Sequence, residues 1–248
     1  MISSALQRLV PLVLLAALWE TVSQLHLVNP SALPPFSAVC KAWWELAISG
    51  DLFFHGITSL LNLVVGLTLA IFVGIVLGIL MGRSQIMDDL FGPVVNAIYP
   101  LPKPALIPVL IMWFGLGAAS KIATIFIGTL TPVVMSAYYG ARGIDRVLIW
   151  SALSAGASRT EVLWDVVLPG AMPEILSGMR NALGLGFILL VASELLIGQR
   201  RLGYLISFLG EGGLYAPMFA GVLTVAAIGF LCDRLYLMMM ERVLSWRV

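Results

Sequence analysis

From Gly56 to Gly82 the chain carries no charged residue and no histidine, and a run of that length has few places to go. A helix needs about 20 mainly apolar residues to cross the hydrocarbon core of a bilayer. One that is apolar all round is buried on every side, in lipid or in a large protein core. Composition decides between the two. The 248 residues are 60% hydrophobic and 11% charged, with a mean hydropathy of +1.01, whereas soluble domains carry about 25% charged residues. Too little polar surface exists to cover such a core in water, so the solvent around most of this chain is lipid.

Six stretches are long and apolar enough to span: 9–28, 56–82, 91–116, 119–141, 175–197 and 215–238. The expected fold is therefore all-α, a single bundle of six transmembrane helices over residues 1–248, with an extra N-terminal helix at 9–28 and a core at 56–238. The run after Arg8 resembles the start of a signal peptide. Trp19-Glu20 occupy the place of the small residues that cleavage requires, so an uncleaved helix is expected, with no soluble catalytic domain appended at either end. Lysine and arginine concentrate on the cytoplasmic side of membrane proteins. With the N-terminus inside, Arg8, Arg83, Arg142, Arg146, Arg159, Arg180, Arg234, Arg242 and Arg247 fall inside, and Lys41, Lys121, Arg200 and Arg201 outside. Nine against four places both termini and the long 142–174 connection in the cytoplasm. Pro34, Pro35, Trp43 and Trp44 then lie at the outer interface, a depth that suits indole rings.

Several function classes are excluded. A net charge of +1 lacks the basic excess of nucleic-acid binders. Cys40 and Cys232 are far apart and have no histidine or cysteine beside them, and His26 and His55 lack a third ligand, so neither a disulfide framework nor a metal site is expected. No nucleophile–base constellation and no Gly-rich phosphate loop ending in Lys-Ser/Thr occurs. The chain is not expected to be an enzyme or to hold a cofactor, and any ATP and Mg chemistry must belong to another polypeptide.

Within the spans, Gly74, Gly78 and Gly82 recur every fourth residue and form a face that lets a second helix approach closely. The 91–116 segment holds Pro93, Pro100, Pro102, Pro104 and Pro108 and cannot be one regular helix. Broken backbone at membrane depth is tolerated where protein or a water-filled cavity covers it, and often marks a transport path. Lys103 lies in this segment, either as a path lysine that meets an anion or as a lysine snorkelling to the interface. Glu194, in the outer third of the fifth span, is either a path carboxylate or a structural partner for a neighbouring helix. Glu20 is assigned to the interface. Asn181, Asn62 and Asn96 are uncharged candidates for a polar path.

The 142–174 connection predicts two short helices. The first covers about 145–155 and breaks near Gly156. Ser158 then caps a second, with Glu161 three residues on in a capping box, and Pro169 is expected to end it. The order Ala152…Gly156…Val166-Val167-Leu168-Pro169 resembles the cytoplasmic signature of binding-protein-dependent ABC importer permeases. Trp150 stands where that pattern commonly has Glu, and Ser151 where it has Ala. Three further blocks resemble the nitrate/sulfonate/taurine branch of these permeases: Leu33-Pro-Pro-Phe-Ser-Ala-Val39, Tyr99 to Pro108 followed by Trp113-Phe-Gly-Leu-Gly117 and Ser120-Lys121, and Glu194 with Leu202-Gly203-Tyr204-Leu205-Ile206.

The resemblance implies that the loop docks into a groove on an ATP-binding cassette subunit. Ala152, Ala155, Gly156, Ala157 and Ser158 would supply a small-residue core and Arg159 a charged anchor. It further implies a homodimer in the bacterial inner membrane, two ATP-binding subunits, an external solute-binding protein and alternating access. The solute would be a small anion such as a sulfonate, taurine, nitrate or bicarbonate, although members resembling the same branch also carry uncharged thiamine precursors. A secondary transporter working alone would need paired intramembrane charges and an internal repeat. A membrane-embedded enzyme would need a His/Asp/Glu cluster. Neither pattern is present.

Overall fold

The computed structural model describes residues 4–29, 31–196 and 201–247. Arg200 of the outer set lies outside the described residues, as do the side chains of Arg8 and Arg247. Every regular element among the described residues is helical: α1 (Ser4–Gln24), α2 (Phe36–Ile48), α3 (Asp51–Arg83), α4 (Gln85–Ile98), α5 (Ile107–Phe114), α6 (Ala118–Arg142), α7 (Arg146–Ser154), α8 (Arg159–Val162), α9 (Leu168–Leu196), α10 (Leu202–Glu211) and α11 (Tyr215–Val243). Short 3-10 turns cover Lys103–Leu106 and Ser245–Arg247.

Four stretches are long and apolar enough to cross a bilayer: α3, α6, the continuous Arg159–Leu196 and α11. A fifth is the proline-rich segment, where α4 and the Lys103–Phe114 helix meet at 93°. Among the described residues four or five spans are therefore counted, and the expected six are not confirmed. A difference concerns Pro169. The chain passes from α8 into α9 through a widened turn at Leu163–Val167, so Pro169 opens the long helix rather than closing the short one. Proline has no N–H to donate, and the widened turn before it takes up the break this would otherwise cause.

The chain divides into two compact units. One comprises Met1–Ser59 and Glu194–Ile228. Here the segment between the first two expected spans folds as α2, begun by Pro35, whose fixed φ suits a helix entry. The Trp19 indole donates to the Pro34 carbonyl at 2.9 Å, and Ser23 donates to the Leu33 carbonyl at 2.8 Å. Val39 and Ala42 of α2 pack on Ala220 of α11, and the Trp43 indole donates to Thr224 Oγ1 at 3.1 Å. Glu20 accepts from the Ser37 backbone and hydroxyl at 3.0 and 2.8 Å. Leu202, Leu205 and Leu209 of α10 cover Leu52 of α3.

The other unit comprises Leu60–Ser193 and Gly229–Val248. Its centre is the approach of α3 to α6 along the glycine face. A Cβ at Gly74 would stand 2.8 Å from Val133 Cγ1, and one at Gly82 would stand 2.9 Å from the Tyr138 carbonyl. At Gly78 it would collide with the Val134 carbonyl and Ala137. Gly66, about two turns before Gly74, meets Ile125 in the same way at 2.9 Å. Hydrogen bonds add to this packing at one end. Asp88 of α4 accepts from Arg142 at 2.8 Å and from the Tyr138 hydroxyl at 2.9 Å. Arg180 of α9 holds Asp233 of α11 through two bonds of 2.7 and 2.9 Å, and Tyr236 donates to the Leu176 carbonyl at 2.8 Å.

Candidate functional site

The 142–174 connection is built from local hydrogen bonds. Asp145 caps α7 by accepting from the Val147 N–H at 2.8 Å. At the other end the Gly156 N–H donates to the Leu153 carbonyl at 3.0 Å and the Ala157 N–H to the Ala152 carbonyl at 3.1 Å. This pair is a Schellman closure, which needs its penultimate residue in the left-handed region. Gly156 has φ of +94°. Ser158 and Glu161 then form the capping box: the Glu161 N–H donates to Ser158 Oγ at 3.3 Å and the Ser158 N–H to Glu161 Oε2 at 2.6 Å. The Ser158 backbone N–H first, and the Ser158 side chain second, hold the Glu161 carboxyl below its ordinary range, so the box is charged and closed at neutral pH.

Beneath the turn lie Ile149, Val162 and Val167, packed on Ala141, with Ala152 and Ala157 half-buried at the edge. On its outer side Ala155, Gly156, Ser158 and Arg159 are exposed. Open space surrounds the position a Gly156 Cβ would take. Residues 152–159 therefore come together as one small, convex tip on an apolar base. A backbone held by its own bonds, with little side-chain bulk, can enter a groove on a partner without rearranging.

The membrane-embedded candidates occupy different settings. Lys103 is 9% exposed, and its ammonium donates to the carbonyls of Ile98 and Tyr99, the latter at 3.0 Å. These are the last carbonyls of α4, which have no partner within the helix. The lysine closes that helix end at the 93° bend, where a cation also suits the negative pole of the helix dipole. Asn181 is exposed on α9 and makes no hydrogen bond among the described residues, and Asn96 is exposed on α4. Asn62 is buried at 5% exposure.

Glu194 is fully buried. Its Oε2 accepts from the Ser59 hydroxyl at 2.8 Å and from the Gly203 N–H at 3.1 Å, while Ser59 Oγ accepts from the Leu202 N–H at 3.2 Å. Leu202 and Gly203 are the first residues of α10, so the carboxylate and the hydroxyl together satisfy two of its open N–H groups. Gly203 sits 2.5 Å from Glu194 Cβ when given a Cβ of its own; only glycine lets the helix start so close. The sequence did not single out Ser59, 135 positions away. It also did not anticipate that Lys121 is 2% exposed beside the buried Ser120 and Thr124 at the start of α6. A buried hydroxyl next to a carboxylate leaves no local signal, whereas Ser120-Lys121 lies within a quoted motif and its burial could have been asked of it.

Among the described residues no group of three or more histidine, cysteine, aspartate and glutamate side chains is placed to hold a metal ion. Residues 70–245 match the family described as binding-protein-dependent transport system inner membrane component. The chain belongs to this family of inner membrane transport components. Among the relatives of this permease component is the taurine transport system permease protein of Escherichia coli, 37% identical over 240 residues that cover 95% of this chain and 87% of that protein. The nitrate import permease protein of Synechocystis is 31% identical over 71% of this chain and 64% of its own length. A solved structure of an amino acid ABC transporter with histidines shares the fold of this permease component, with a TM-score of 0.62 at 17% identity over 82% of this chain and 97% of that one.

Proposed function

We propose that this chain is the membrane permease subunit of an ATP-driven importer for a small anion, taurine or a related sulfonate first and nitrate or bicarbonate next. Its 248 residues then form one permease domain in the bacterial inner membrane, with both termini in the cytoplasm. Two copies pair, each carries one ATP-binding cassette subunit, and an external binding protein delivers the solute. ATP and Mg are held by the partner subunits, because this chain has no phosphate loop of its own.

The observation that carries the reading is the 152–159 tip: a Schellman closure at Gly156 followed directly by the Ser158–Glu161 box, in a chain of this family. Such a tip transmits movement because it has little freedom to deform. Closure of the ATP-binding pair would push on α7 and α8, and the unbroken Arg159–Leu196 helix would carry the push into the membrane. Each state of the transporter is then biased by partner contacts, as a two-state coupling requires.

The test is a purified complex of this chain with its cognate ATP-binding and solute-binding proteins in liposomes. Mass measurement is expected to give two permeases with two ATP-binding subunits, and taurine uptake should require ATP and the binding protein together. A single chain that transports unaided would overturn the assignment.

A further inference from the structure

Along α3 an apolar groove of about 610 Å³ runs past Thr68, Phe72, Val76 and Leu80, with Trp164 and Met172 on its opposite wall. It shares Leu163 with a second cavity of about 370 Å³ whose polar lining residues are Arg83 and Arg159. Arg83 follows Leu80 by three positions and therefore lies on the same helix face. Both arginines are exposed, neither makes an ion pair among the described residues, and no acidic side chain lines their cavity. An apolar trough thus ends at two unneutralised cations. From Thr68 to Leu80 the helix rises about 18 Å, close to the roughly 15 Å of one hydrocarbon leaflet.

We propose that this groove holds one anionic phospholipid, its acyl chain along α3 and its phosphate between Arg83 and Arg159. On the orientation proposed above, the lipid belongs to the cytoplasmic leaflet. The occupant is chosen by charge and shape. A zwitterionic lipid fills the trough equally well but leaves the arginine pair without a net negative partner. A second copy of the chain related by a two-fold axis through this face would set groove against groove and arginines against arginines. A soluble partner reaches Arg159 at the loop but not the trough at membrane depth. The lipid touches the base of the 152–159 tip through Arg159 and Leu163, so its headgroup charge would set how firmly that tip is seated.

The test uses the purified full-length chain, stripped of lipid in detergent and titrated with phosphatidylglycerol or phosphatidylcholine of identical acyl chains. Native mass spectrometry then reads the lipid retained. One phosphatidylglycerol per chain is expected, held about tenfold or more in preference, since each arginine near an anionic surface contributes about fivefold. Arg83→Gln is expected to cut the preference about fivefold and Arg83→Lys to keep most of it. Val76→Trp, which narrows the trough, should reduce retention of both lipids; if that variant does not fold, the Arg83 pair still decides. Equal retention of the two lipids by the unaltered chain would overturn the proposal, as would an unchanged preference in Arg83→Gln. So would a disulfide between two copies through Val76→Cys, in a background with Cys40 and Cys232 changed to serine, because it would put a second chain in the groove. None of these readings depends on transport, so the importer assignment stands or falls separately.

Discussion

At the scale of single residues, glycine decides most where the backbone turns left-handed. Gly156 has φ of +94° with open space around its missing Cβ, so a substitution there is opposed by backbone energy rather than by a clash. The left-handed region costs a non-glycine residue about 1–2 kcal/mol, with Asn the best tolerated and β-branched residues the least. Gly156→Val is therefore expected to insert and assemble but to lower ATP-driven uptake about tenfold, the equivalent of the middle of that cost. Gly156→Asn should stay within about threefold. Uptake and binding-protein-stimulated ATP hydrolysis, measured on the same liposomes, distinguish the outcomes; equal loss in both variants would point to bulk at the tip instead of backbone geometry. Lys103 and Glu194 illustrate the opposite situation. Each is an ionisable group at membrane depth held at a helix end, Lys103 by the Tyr99 carbonyl and Glu194 by the Gly203 N–H together with the Ser59 hydroxyl, so its polar atoms face protein instead of lipid.

Among the elements, α3 and α6 show how much a helix pair can depend on absent side chains. A Cβ at Gly78 would overlap the Val134 carbonyl and Ala137, whereas one at Gly184 on α9 meets nothing within 4 Å. Overpacking costs about 1–3 kcal/mol, and at about 2–4 °C per kcal/mol for a chain of this size Gly78→Val should melt some 3–10 °C lower in detergent. Gly184→Val should melt within about 2 °C of the unaltered protein. A Gly78→Val variant as stable as wild type would show that the two helices separate by more than the packing allows. The glycine spacing on α3, the broken proline segment, and the Ser158–Glu161 box could all be read from the sequence. Each rests on residues a few positions apart, whose geometry is local. The partners of Lys103 and Glu194 could not, although a structural role for Glu194 was one of its two readings. Lys103 meets the end of α4 only because the chain doubles back at 93°, and Glu194 meets Ser59 across 135 positions. Pro169 misled for a related reason: the widened turn before it absorbs the break that proline otherwise causes. Residues 152–159 were legible as a unit, while the burial of Lys121 was not, because positive-inside counting sorts residues by side of the membrane and not by depth.

For the whole molecule, the nine-to-four division of Lys and Arg predicts which surfaces meet which compartment. In a background with Cys40 and Cys232 changed to serine, Ser158→Cys is expected to resist a membrane-impermeant thiol reagent in intact cells, and Ser31→Cys to react. Labelling of position 158 from outside would invert the topology and remove the tip from its ATP-binding partner. The bonds that shape this tip join residues two to five positions apart: Val147 to Asp145, Gly156 to Leu153, Ala157 to Ala152, and Glu161 to Ser158. Contacts of such short range form quickly, helical turns within about a microsecond, whereas pairings distant in sequence wait for slow loop closure. At about 5–20 residues per second, synthesis takes seconds to add the remaining chain through α9 and α11. The 152–159 tip can therefore be complete while the second half of the membrane bundle is still being made, which, on the proposed docking role, leaves the order of subunit assembly open to a partner that binds a nascent chain.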